Sequence, residues 1–277
     1  MEEITKILKK ILSDLQIRIG FGFEFEFFLL NENLLPIDVE NYLENLNEIL
    51  FHSNSFFKGL AKKEIEQGQV EIISFPTFDI EENIFGFKKV FCEVENFVSE
   101  KKYFLNYLAK PFLKKSGNGL HINISLHDKK TNKNIFEIEM NNSDKFDLDR
   151  TKSSTMNSAI SGILKSVESD IELYIFNEST MNRIKYHDIN TPTNISWGKN
   201  NRTTLIRIPE SLPYQKRIEI RLSSPESDLT SILKSILVGI YNGIRDKNYL
   251  QPCTHGIAHS EIYQLKGLLN LIENSKQ

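Results

Sequence analysis

Cysteine is almost missing from this 277-residue chain: Cys92 and Cys253 stand alone, without metal-ligand spacing. That argues against a disulfide framework and a thiolate metal centre, and it points to a reducing compartment, with the cytoplasm as the default. An excess of one charge is missing too. The formal net charge is −3, which gives no reason to expect nucleic acid or an anionic membrane as a partner. No apolar run is long and clean enough to span a bilayer, because the greasiest stretch, Ile17 to Leu30, carries Arg18, Glu24 and Glu26. The N-terminus does not read as a secretory signal: Ile4, Ile7, Leu8, Ile11, Leu12 and Leu15 recur at helical spacing among lysines and acids. Neither an internal repeat nor a long linker divides the chain. What remains, 40% hydrophobic and 26% charged residues, is an ordinary globular composition, read as one domain over residues 1–277.

Periodicity predicts a helix over residues 2–15, a strand at 20–30, a short helix over 39–50 and a strand at Val70–Phe75. A long amphipathic helix follows over 80–105, then a strictly alternating strand from Leu120 to Leu126. Residues 128–150, rich in Asn, Asp and Lys, read as an exposed excursion. Met156, Ile160, Ile163, Leu164 and Val167 mark another helix, strands fall near 203–208 and 216–222, and helices near 227–245 and 260–273. This irregular alternation implies an α+β fold with a curved, largely antiparallel sheet.

Chemistry concentrates in five places. In Gly20-Phe21-Gly22-Phe23-Glu24-Phe25-Glu26-Phe27-Phe28, strand geometry puts both carboxylates on one face and Phe23, Phe25 and Phe27 on the other. Two such anions repel by on the order of 4 kcal/mol at about 4 Å and an effective dielectric near 20. Water, a shared proton or a bound cation would relieve that, so a solvated polar face and a cation site both remain open. In Arg217-Ile218-Glu219-Ile220-Arg221-Leu222, one face reads cation, anion, cation, which suits an anionic ligand beside a metal as well as a plain ion-pair ladder. Gly117-Asn118-Gly119-Leu120-His121-Ile122-Asn123-Ile124-Ser125 is a turn whose backbone N–H groups can approach a ligand, feeding a strand that aims His121, Asn123 and Ser125 to one side. Glu64 and Glu71 flank a Gly68-Gln69 turn, and Arg202 and Arg207 flank a short strand that ends at Pro209. Solvated loop acids and an exposed basic pair are the ordinary alternatives there.

In this order the five segments resemble the catalytic domain of the glutamine synthetase family. The segment around Glu24 and Glu26 is similar to that family's Glu-x-Glu-Phe-Phe strand, and Glu64 through Glu71 to its Glu-Val-Ala-Pro-Gly-Gln-x-Glu segment. Ala109-Lys110-Pro111 with Gly117-Asn118-Gly119-Leu120-His121 resembles Pro-Lys-Pro and Gly-Ser-Gly-Met-His. Asn201 through Pro209 resembles Asn-Arg-Ser-Ala-Ser-Ile-Arg-Ile-Pro, and Arg217 through Arg221 resembles Arg-Ile-Glu-Val-Arg. The resemblance implies an incomplete antiparallel barrel wrapped by helices. It implies two Mg²⁺ or Mn²⁺ sites, one from Glu26, Glu64 and Glu71, the other from Glu24, His121 and Glu219. It implies ATP as co-substrate, with Arg202 and Arg207 on the phosphates, Arg217 assisting, and Asn123 and Ser125 facing the nucleotide. Gly117 and Arg221 would hold the substrate.

The activity implied is ligation of a small-molecule acid to an amine through an acyl phosphate. Three departures qualify it. The family's small N-terminal β-rich domain has no counterpart, which leaves room for a homo-oligomer or a partner chain that supplies it. The flap with its glutamate gives way to residues 182–192, where Arg183 or Lys185 would stand in for a substrate arginine. Asn123 replaces a second histidine. A non-catalytic relative that binds metal and nucleotide and acts through association is the alternative expectation.

Overall fold

The computed structural model describes residues 1–52, 57–141 and 154–275. Helix α1 (Glu2–Asp14) leads into the longest strand, β1 (Ile17–Leu30), followed by α2 (Glu40–His52), β2 (Gly59–Lys63) and β3 (Gln69–Ser74). Next come α3 (Ile80–Glu100), β4 (Phe104–Asn106), β5 (Leu120–Asp128), α4 (Ile135–Asn141), α5 (Thr155–Ser169) and α6 (Glu178–Lys185). Strands β6 (Trp197–Lys199), β7 (Ile206–Ile208) and β8 (Ile218–Ile220) precede α7 (Leu229–Arg245) and α8 (Leu268–Ser275). The sheet runs β2-β3-β1-β5-β8-β7-β6, with β4 also paired to β1. All pairings are antiparallel except β6 with β7. The sheet does not close on itself, so the α+β class and the incomplete barrel of the sequence reading hold.

Alternation in β1 divides the molecule. Phe23, Phe25 and Phe27 are buried on one side, where Phe25 meets Phe87 and Phe91 of α3 at ring-centroid distances of 5.2 and 5.0 Å. Each such buried ring contributes about 1.5–3 kcal/mol from area alone. Helix α3 is started by Asp79, whose carboxylate accepts the Glu82 N–H at 3.0 Å, and Glu81 and Glu82 suit the positive end of its dipole. Helices α5 and α7 cross so closely that a Cβ on Gly162 would stand 2.0 Å from the Gly239 carbonyl oxygen, a contact only glycine allows. Gly68, at φ +83°, makes the turn between β2 and β3.

Several boundaries differ from expectation. The long helix stops at Glu100, and Lys102 takes a left-handed conformation (φ 60°) before β4 begins. The excursion at 128–150 is interrupted by α4, which buries Ile135 and Phe136; residues 142–153 lie outside the described residues. The strand expected from 203 starts only at Ile206, because Thr203 and Thr204 bond to Asn201 through its side-chain and backbone oxygens instead of joining a ladder. The terminal helix begins at Leu268, after a short 3₁₀ turn at Glu261–Tyr263. Strands β2, β4 and β6 and helices α4 and α6 were not anticipated.

Candidate active site

The opposite face of β1 carries Glu24 and Glu26, and the register brings their partners to them. Glu26 lies across from Glu71 on β3, and Glu24 across from His121 on β5. On the far side of β5, Asn123 stands opposite Glu219 of β8, which stands opposite Arg207 of β7. Residues remote in sequence thus become cross-strand neighbours in a cavity of about 350 Å³. Glu64 from the β2–β3 turn lines it too, as do Gly117, Arg202, Arg217 and Arg221. Asn123 and Ser125 instead line an adjoining cavity of about 560 Å³, walled by Phe75, Phe78 and Tyr214 and sharing Glu24 and Arg217 with the first.

Hydrogen bonds hold these groups in place. His121 Nδ1 lies 3.2 Å from Glu24 Oε2 and the Asn123 amide donates to Glu24 Oε1 at 2.9 Å. Arg217 Nε donates to the Asn123 oxygen at 2.7 Å, and the Gly119 N–H donates to Glu26 Oε2 at 2.7 Å. Glu219, 1% exposed, is gripped from both sides: Arg207 donates to Oε2 at 2.9 Å and Arg221 to Oε1. Arg183, named in the sequence reading as a substitute, is buried and spent on backbone, donating to the carbonyls of Leu222 at 2.7 Å and Ser223 and Arg221 at 3.2 Å. Lys185 is exposed, with its ammonium over the Tyr186 ring.

Electrostatics separate the carboxylates. Burial pushes Glu71 up to about 7, reinforced by the charges of Glu24 and Glu26 and opposed by Lys62. Burial also raises Glu26, against the charge of His121 and the Gly119 N–H. Glu24 goes down to about 2: burial would raise it, but bonds from His121 and Asn123 and the charges of His121 and Arg217 outweigh burial. Burial and Arg221 would lower His121, yet Glu24 and Glu26 together raise it. Such splitting is expected when several anions share one desolvated space.

Two groups of donors are close enough to surround an ion. Ligand atoms of Glu24, His121 and Glu219 all lie within 4.8 Å of one another, as do those of Glu26, Glu71 and His121. Carboxylates and imidazole are hard donors suited to Mg²⁺ or Mn²⁺, and a buried carboxyl pushed up to about 7 marks the frustration that a divalent ion relieves. The residues therefore fit the metals. Glu64 belongs to neither group among the described residues. Its N–H is tied to Gln69 O at 3.0 Å in the turn, which leaves it half-buried at the cleft wall, where its charge raises Glu26. Sequence reasoning missed Lys62, which reaches Glu71 at 2.7 Å, and Asp188 and Asn190, which line the cleft. Lys62 was findable: it shares a strand face with Glu64 once β2 is recognised.

An open antiparallel sheet that gathers hard donors and guanidinium groups on one face defines a class of protein equipped for anions in company with divalent cations. Comparison with known proteins is specific. The family described as glutamine synthetase, catalytic domain, matches residues 38–269. Relatives include a gamma-glutamylputrescine synthetase of Escherichia coli, 25% identical over 71% of this chain and 39% of its own length. A glutamine synthetase of Thermococcus kodakarensis is 32% identical over 74% of this chain and 41% of its own. The cryo-EM structure of Plasmodium falciparum glutamine synthetase superposes with a TM-score of 0.71 at 20% identity, covering 90% of this chain and 56% of that one. This chain belongs to the glutamine synthetase family. It spans about half the length, or less, of the relatives it matches.

Proposed function

We propose that the protein is an ATP- and divalent-metal-dependent carboxylate–amine ligase that activates an acid, glutamate in the first instance, as its acyl phosphate for attack by an amine. The observation that carries this reading is the convergence of Glu24, Glu26, Glu71, His121 and Glu219 with Arg202, Arg207, Arg217 and Arg221 in one cleft. Glu24, His121 and Glu219 would hold one ion and Glu26 and Glu71 the other, with Glu64 at its rim. When bound, the ions would neutralise phosphate charge and align the transferred group. Arg202 and Arg207 would hold the phosphates, with Arg217 beside them, while Gly117 and Arg221 would receive the acid. Asn123 and Ser125 line the more apolar neighbouring cavity, which suits a nucleotide.

The residues 182–192, in place of a flap, and the likeness to a gamma-glutamylputrescine synthetase favour an amine larger than ammonia. We take residues 1–277 as one catalytic-type domain, located in the cytoplasm and working as a homo-oligomer or with a partner chain. One observation favours the alternative, a non-catalytic nucleotide- and metal-binding relative: both Glu219 oxygens are already engaged by arginines. The test is ADP release from Mg²⁺-ATP with glutamate and a panel of amines including ammonia, wild type against Glu219→Ala. Amine-dependent turnover lost in the variant supports the ligase. MgATP binding without turnover supports the alternative.

A further inference from the structure

Between β4 and β5, residues 111–119 form neither helix nor strand, yet this stretch brings Ser116 and Gly117 to the wall of the cleft. Without a ladder, its backbone groups must be satisfied by other means. The peptide between Lys115 and Ser116 is satisfied by two charged side chains of opposite sign. Its N–H donates to Glu66 Oε1 at 2.9 Å, and its C=O accepts from the ammonium of Lys110 at 2.6 Å. The other Glu66 oxygen lies 3.3 Å from the Lys115 ammonium. Gln69 then donates to the Gly117 carbonyl at 3.1 Å. Glu66 belongs to the turn between β2 and β3 and stands behind the cleft wall, not in it.

We infer that Glu66 is a positioning residue for the acid substrate: gripping the 115–116 peptide against Lys110, it presets the face that Ser116 and Gly117 turn to the cleft. The inference rests on the ligase reading given above, in which Gly117 receives the acid. Three observations carry it. The peptide unit is planar and is held at both ends by charge-assisted bonds, so it cannot rotate without breaking one of them. The clamp also has a fixed inner jaw. Lys110 is 6% exposed; burial lowers its ammonium, and the charges of Asp188 and Glu66 oppose burial while Arg183 adds to it. Finally, the segment has no slack beyond the clamp. A Cβ on Gly117 would stand 2.5 Å from the Ala109 carbonyl oxygen, and the Asn118 N–H donates to that same oxygen at 3.0 Å. Packing this close passes a rotation at Ser116 on to Gly117. Alanine stands at the Glu66 position in the Glu-Val-Ala-Pro-Gly-Gln-x-Glu segment that Glu64 through Glu71 resemble, so the carboxylate is this chain's addition to it.

The consequence is selective. Loss of the Glu66 carboxylate leaves the metal donors and the phosphate arginines in place and misplaces the loop that meets the acid. Binding of the acid weakens, while the chemical step and the nucleotide do not feel the change.

The test compares the full chain as wild type, Glu66→Ala, Glu66→Gln, Lys115→Met and Gln67→Ala. Amide hydrogen exchange over residues 112–118 reads the grip, and ADP release with glutamate and an amine reads its consequence. Glu66→Ala should speed exchange there and raise KM for glutamate, each by about tenfold, with kcat and KM for ATP within about twofold of wild type. Glu66→Gln keeps an oxygen for the Ser116 N–H and should restore most of both. Lys115→Met, which removes a partly exposed ion pair, and Gln67→Ala, exposed in the same turn, should each change KM for glutamate by less than about twofold. Unchanged exchange in Glu66→Ala overturns the inference whatever the activity. So does a Glu66→Ala in which kcat and both KM values change together, or a Gln67→Ala that matches it, because the turn as a whole is then responsible. A wild type that neither turns over glutamate nor binds it by calorimetry with MgATP overturns the ligase reading and the inference with it. A wild type that does both, matched by Glu66→Ala, overturns the inference alone.

Discussion

The two faces of β1 are built from neighbouring residues and obey opposite rules. On one, Phe23, Phe25 and Phe27 find their partners on folding, and tilted and edge-on rings fill the space against α3. On the other, Glu24 and Glu26 gather further carboxylates, and burial beside them pushes Glu71 up to about 7. The first face stores stability. The second gives up part of it to crowd buried charges together. The proposed function places the chemistry where the folded protein, taken alone, is least satisfied.

The largest effect that would expose this contrast comes from the apolar face. Phe25→Ala should cost about 3–5 kcal/mol by removing a ring that touches Phe27, Phe87 and Phe91. Urea unfolding measures it, and a loss under about 1 kcal/mol would mean that this cluster does not carry the fold.

Of intermediate size is relief of the polar face by metal. Mn²⁺ at a hundredfold its dissociation constant should add about 2.7 kcal/mol to stability, read as a rise in Tm. Glu24→Gln should remove most of that gain. An unchanged Tm at millimolar Mn²⁺ would count against the polar face as an ion site.

The smallest effect is the pH dependence of the metal-free protein. Glu71, with a folded value near 7 against 4.5 for the free group, stabilises the fold while protonated. Its contribution is complete below about pH 4.5 and is lost as pH rises through 7. Glu26 and His121, both raised, act in the same direction. Glu24, lowered to about 2, acts the other way: its contribution is present above 4.5 and lost as pH falls toward 2. Metal-free protein should therefore be less stable at pH 8 than at pH 5 by on the order of 2 kcal/mol. Denaturant midpoints at the two pH values decide it. Glu71→Gln should flatten the slope, and a slope of opposite sign would mean that the cleft carboxylates are not crowded.

Much of this was legible beforehand for physical reasons. Strict alternation in β1 and β5 placed Glu24 with Glu26 and His121 with Asn123, because a strand leaves no other choice of side. The longer helices declared themselves through apolar spacing. Two short strands did not: β4 and β6 hold three residues each, too few for a period to show, whereas β7 and β8 fall inside the segments read as strands near 203–208 and 216–222. Gly59–Lys63 has no clean alternation either, since Leu60 stays half-exposed while Ala61 turns inward, and with that strand Lys62 went unread.

The sequence by itself determined the α+β class, the apolar and polar sides of β1 and the resemblance to a catalytic domain, since all three rest on local order and side-chain type. Only the tertiary structure decided which carboxylates share a space. Glu64 and Glu71 are seven positions apart and look equivalent along the chain, yet β3 buries one directly opposite Glu26 while the turn holds the other at the wall. It also decided that Arg183 serves the backbone and that an exposed lysine, Lys62, faces the buried Glu71. Register and burial set those outcomes, and neither is a property of a residue and its sequence neighbours.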